Sequence, residues 1–350
     1  MNITLRPTVL LGFALWMIVP GSLSAQDDES ATRLAMTGRN LSAEAARSLE
    51  IQVKAAPDDV AARTELLGYY MSLAFSSQEA QEARQQHILW LIRNRPEAPI
   101  LSTPFAHLNS QLDSSAYEEG RKAWLDQVDR QPENAAVLGR AAAYLLLDNS
   151  DAAASLYQRA EAAEPQSPEW SQHLGHLYSL GLARKTGEEK QKSAQAALGA
   201  YERSLANMKD GEERESLLPD LATVALEAGE AAKARGYAEE MLKSDSQGWN
   251  AGNLVHHGHL VLGRIALRDG DTKAAQEHLL AAGKTQGSPQ LNSFGPNMTL
   301  AKELLEKGER QAVLEYFKLC GNFWKNSDLE AWTQEVQAGK VPDFGANLDY

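Results

Sequence analysis

One cysteine in 350 residues, Cys320, has no partner for an internal disulfide and no second thiolate for a four-cysteine zinc site or a CxxC redox pair. Cations are in the minority, with 34 Lys and Arg against 47 Asp and Glu and a formal net charge of −13. That balance argues against nucleic acid or an anionic membrane as the main partner, because each calls for a basic face. Long apolar runs are missing as well. The longest, Val9 to Val19, has 11 residues, where a spanning helix needs about 20. Catalytic signatures also fail: there is no HExxH, no GxSxG and no GxGxxG after a strand. Gly283-Lys284-Thr285 imitates the end of a phosphate-binding loop, but His278 stands where the earlier glycine belongs. Nothing calls for a cofactor, and the scattered carboxylates, often four residues from a Lys or Arg, read as solvated helix surface.

What is present begins with the N-terminus. Arg6 precedes the short apolar run, and Pro20-Gly21 followed by Ser22-Leu23-Ser24-Ala25 closes it. This is the layout of a secretory signal peptide over residues 1–25, with cleavage near Ala25. A lipoprotein would need a cysteine at the cleavage point, and Cys320 lies near the other end. The expected product is exported, periplasmic or extracellular, with no stable membrane insertion after cleavage. Residues 26–40, which open on an acidic stretch, read as a flexible leader.

From Leu41 onward Ala, Leu, Glu, Gln, Lys and Arg recur with helical period, and no run of alternating β-branched residues intervenes. The chain is predicted to be all-α. Prolines at 57, 96, 132 and 165 each end an amphipathic segment, at spacings of 39, 36 and 33 residues. A period in the thirties that covers two helices marks a helical-hairpin repeat.

Within that frame, Ala141 and Tyr144 fall on a first helix, Asp148-Asn149-Ser150 makes a turn, and Ala153, Tyr157 and Ala160 fall on a second helix ending at Pro165. The next unit opens with Trp170, Leu174-Gly175 and Tyr178. Its second helix, with Ala197, Tyr201 and Ser204, is delayed by an insert from Leu180 to Ser193. These residues resemble the tetratricopeptide repeat, with the Trp one position early. More divergent copies carry Leu221-Ala222, Ala225, Gly229, Ala234 and Ala238, then Leu262-Gly263, Ala266, Gly270, Ala275 and Ala282. Upstream, Leu66-Leu67-Gly68-Tyr69-Tyr70 and the segment around Trp124 complete the series. The expected architecture is an α-solenoid of such hairpins over 41–287, a C-terminal helical cap over 288–338 and an extended tail over 339–350, lying on the cap or free. In the cap, Val313, Phe317, Cys320 and Trp324 share one helix face, which reads as core and makes Cys320 a buried structural thiol.

The resemblance implies a concave groove, lined by the first helix of each hairpin, that binds a protein or peptide partner. Carried over by register, its lining would be Leu138, Ala142 and Leu145 as an apolar floor, then Glu169, Gln172 and His176, then His257 and Arg264. The expected role is a non-enzymatic adaptor or scaffold. Two alternatives stay open. His256 and His259 share a helix face and could hold a metal if His278 on the paired helix joined them, giving a metal-binding protein or metal-dependent enzyme. The repeats could also bury against fixed neighbours as a structural subunit of an envelope assembly.

Overall fold

The computed structural model describes residues 23–209, 211–245 and 248–348. The expected signal peptide lies, up to residue 22, outside the described residues. Every regular element among the described residues is helical. The chain divides into two compact units, one ending at Trp170 and the other beginning at Ser171.

The first unit holds α1 (Leu23–Gly38), α2 (Ala43–Ala55), α3 (Val60–Leu73), α4 (Gln78–Asn94), α5 (Ser114–Arg130), α6 (Ala135–Leu145) and α7 (Ser150–Ala163). Starts are set by polar caps. The side chains of Ser42, Asp59, Ser77, Asn134 and Asn149 each accept the backbone N–H three residues on, a contribution of about 1 kcal/mol apiece. α3 pairs with α4, and α6 with α7. Between those hairpins the first helix expected before α5 is reduced to two 3-10 turns, Pro99–Ser102 and Pro104–Ala106. Two prolines within six residues remove the amide donors a longer helix there would need.

α8 (Pro168–Ser179) runs across the boundary, and the second unit continues with α9 (Gly187–Asn207), α10 (Glu212–Glu227), α11 (Ala231–Lys243), α12 (Ala251–Arg268) and α13 (Thr272–Gly283). The insert expected from Leu180 to Ser193 becomes a short loop, a 3-10 turn at Leu182–Arg184 and the opening turns of α9. α10 with α11 and α12 with α13 form hairpins closed by Gly229 and Gly270, whose φ of 87° and 86° is the left-handed conformation that ends a helix. In both, the amide after the glycine bonds the carbonyl five residues back. The closing elements are α14 (Pro289–Phe294), α15 (Thr299–Glu306), α16 (Arg310–Cys320) and α17 (Ser327–Gln337). The all-α class, stacked helical hairpins finished by a helical cap, is what the chain forms.

One segment departs from expectation. Residues 26–40 are not a flexible leader: from Leu23 to Gly38 the chain is helical, with Ala35 fully buried. The reason is a backbone contact. A Cβ on Gly68 of α3 would overlap the Ala35 carbonyl, and one on Gly38 would overlap the Glu65 carbonyl, so α1 meets α3 where side chains are absent.

The C-terminal tail, expected to lie on the cap or free, is docked. Its described part buries Phe344 at 2% exposure between Trp332 and Phe317, with ring centroids at 5.0 and 6.1 Å. Asn347 donates to the carbonyls of Phe294 (3.1 Å) and Pro296 (3.0 Å) and accepts from the Met298 amide through its own carbonyl (2.8 Å). Val313, Phe317, Cys320 and Trp324 all lie in this core, and burial pushes the Cys320 thiol well up. Phe344→Ala is expected to lower the stability of the cap by about 3–5 kcal/mol in urea unfolding. A loss under about 1 kcal/mol would show that the tail is dispensable.

Candidate binding face

On α6 the expected groove floor is misplaced. Leu138, Ala142 and Leu145 are core, with exposures of 0%, 0% and 3%, and offer a ligand no surface. The open side of α6 carries Ala136, Arg140 and Ala143 instead. Aligning Leu138-Gly139 with Leu174-Gly175 and Leu262-Gly263 places Arg140 in the slot of His176 and Arg264, and Ala136 in that of Gln172. The signal was in the sequence. The large apolar residues of α6 belong to its buried side, which is where a helix stripe of Leu and Val packs.

Arg140 is held along its length, donating from Nε to Ser102 Oγ at 2.9 Å and from Nη1 to the Pro96 carbonyl at 3.5 Å. Burial lowers its pKa, while the carboxylates of Asp28, Glu169 and Glu97 oppose the shift. A cavity of about 20 Å³ beside it, lined by Thr103, His107 and Tyr144 among others, has room for a water and no more. Nearby, Arg84 donates to the His107 carbonyl, while its buried Nε has no partner among the described residues.

A second polar cluster ties α2, α3 and α4 together and was not singled out from sequence. Tyr70 donates to Glu50 (2.8 Å), His87 Nε2 lies 2.9 Å from the same carboxylate oxygen, and Arg63 meets His87 Nδ1 at 3.0 Å while stacking on Trp90. The members suit acid–base chemistry. Because Arg63 can only donate, however, Nδ1 is the acceptor and Nε2–H the donor, so both ring nitrogens are already used. The cluster is a tie between helices.

In the second unit Gln172 and His176 of α8 and His257 of α12 are half-buried; Glu169, at the end of the first unit, is half-buried too. Burial lowers the pKa of His176, and that of His257 to about 4, so both imidazoles are neutral at pH 7. Arg264 does not face a ligand. It pairs with Glu227 at 2.6 Å and Glu303 at 2.7 Å, and Glu227 also takes Lys190 at 2.9 Å. Arg264 therefore joins α10, α12 and α15 from inside. Burial would raise the Glu227 carboxyl, but Arg264 and Lys190 outweigh it and hold it at about 2.

The three histidines considered for a metal do not converge. His256 is fully buried, with Nδ1 at 3.2 Å from the Ala282 carbonyl and Nε2 accepting the Asn297 amide at 3.2 Å. Both its nitrogens are satisfied, and its pKa falls to about 3 through burial. His259 and His278 face one another, Nδ1 to Nδ1 at 3.1 Å. Among the described residues no three His, Cys, Asp or Glu side chains form a metal-sized group.

The Glu227 network gives a signed expectation. A carboxyl held below its ordinary 4.5 adds stability that is complete above that value and is lost as pH falls towards about 2. Glu227→Gln is expected to cost about 3 kcal/mol at neutral pH and to flatten the acid limb between about pH 4.5 and 2. Urea midpoints across that range check it, and an unchanged acid limb would remove Glu227 from this role.

No protein-family model and no curated protein matches the chain. Among solved structures it is similar to the human IFIT1 dimer with m7Gppp-AAAA, at 18% identity, covering 91% of this chain and 71% of that one with a TM-score of 0.46. The exclusion of nucleic acid as a partner is corrected here. The finding against it is that the similar structure is of a protein with a capped RNA.

Proposed function

We propose that the chain is an exported helical-repeat binding protein of tetratricopeptide-like design, which holds a segment of a protein partner on the first-helix face of its second unit. The observation that carries this reading is on α8. Gln172 and His176, four residues apart and so on one helix face, are half-buried beside the buried Leu174-Gly175 pair, and burial keeps the His176 imidazole neutral. A neutral imidazole and an amide suit the backbone and polar side chains of a peptide. Binding at such a face needs no enclosed pocket.

The test is capture from envelope extract with residues 26–350, comparing wild type with Gln172→Ala/His176→Ala. Partner recovery is expected to fall at least about fivefold, with the melting temperature held to within about 2 °C. Equal recovery by both chains would reject this placement of the partner.

A further inference from the structure

α3 is buried on nearly every side. Ala62, Arg63, Thr64, Leu66, Leu67 and Gly68 are all inaccessible, although α2 and α4 cover only part of its circumference. α1 covers the rest, packing against α3 and the 3-10 turn Pro99–Ser102. Its other end reaches α6, where the Asp28 carboxyl lies near Ser102 and Arg140. α3, the 3-10 turn and α6 are the first members of successive hairpins, so α1 lies across the first-helix face of the first unit.

The contact is close but buries little. Among residues 27–38 of α1, whose side chains are described, Ala35 and Gly38 are buried, Ala31 and Leu34 are half-buried and Met36 is exposed, so few methylenes of this stretch leave water. At its far end Asp28 Oδ1 is buried without a hydrogen-bond partner. Between α1 and α2 run only residues 39–42.

We propose that α1 is a detachable occupant of a helix seat on the first-helix face of the first unit, and that the seat accepts in its place a partner helix of the same chemistry. That chemistry is a ridge of Ala and Gly at successive turns, matching Ala31, Ala35 and Gly38, with a carboxyl group two turns before Ala35 to lie against Ser102 and Arg140. The inference rests on the binding-protein reading above and extends it to the first unit. Proton concentration biases the exchange. Burial raises the Asp28 carboxyl to about 6, aided by Asp27 and opposed by Arg140 and Ser102; Glu97 and Glu169 are the other charges near Arg140. Because the docked value lies above the free one, α1 is held best in acid and loosens as pH rises through about 6.

Two measurements on the full chain test this. In hydrogen exchange, corrected for intrinsic rates, the amides of 31–38 are expected to open at least about tenfold more often than those of α3, by a margin that widens from about pH 5 to 7. Asp28→Asn removes the widening. A labelled peptide of residues 23–38 is expected to bind the Gly38→Leu chain at least about tenfold more tightly than wild type, since that change displaces α1 and leaves the seat intact. α1 amides as protected as those of α3 would overturn the proposal, as would a folded Gly38→Leu chain that ignores the peptide. If Gly38→Leu does not fold, the exchange result decides. Failure here alongside loss of capture by Gln172→Ala/His176→Ala would remove the detachable helix and leave the binding-protein reading in place.

Discussion

Two helices approach to backbone distance only where at least one of them presents no side chain, and this chain meets that condition at each crossing that matters. Gly139 lies under the Trp170 ring, Gly175 under Tyr201, and Gly263 under Leu300; at each, an added Cβ would enter the neighbouring side chain. Ala141, Ala153, Ala160, Ala234, Ala238 and Ala275 fill comparable positions at 0% exposure. The large residue opposite each small one is determined by the space left. Hairpin pairing, the stacking of one hairpin on the next and the seating of α1 all follow from that constraint.

Polar ties then fix what small-residue packing leaves free to slide. Arg264 with Glu227 and Glu303 and Glu50 with His87 and Tyr70 join helices from different hairpins, while His256 ties α12 to Ala282 of α13 and to the Asn297 amide just before α15, all through groups that are largely buried and satisfied. Such groups add little net attraction, but leaving one unpaired is expensive, so they select a single register. Two of them, Arg264 and His256, had looked like ligand-binding residues. Their types suit either role, and only burial with complete partnering distinguishes the two.

The fold was legible because its signals are local. Proline spacing, Leu-Gly pairs, Asn and Asp caps and the Gly229 and Gly270 turns all act within a few residues of the chain. The face was less legible because one residue of register on α6 exchanges Leu138 for Gly139 and shifts every lining assignment, while no single residue marks which side is buried. α1 was illegible for a further reason. Its sequence, rich in Ser, Asp, Ala and Thr, lacks an apolar stripe, and what holds it is the absence of side chains at Gly38 and Gly68, a contact between segments some thirty residues apart. The missing first helix before α5 was marked by Pro99 and Pro104, whose effect is local and could have been read.

The account stands or falls on the glycine crossings, and the Gly175–Tyr201 contact between α8 and α9 tests it most directly through a double-mutant cycle. In a helix with open space, Gly175→Ala would stabilise by up to about 1 kcal/mol. Here it is expected to destabilise by about 1–3 kcal/mol, because the methyl group enters the Tyr201 ring. In a Tyr201→Leu background that penalty is expected to shrink by at least about 1 kcal/mol. Additive effects to within about 0.5 kcal/mol, or stabilisation by Gly175→Ala alone, would contradict the claim that small-residue contact sets the packing.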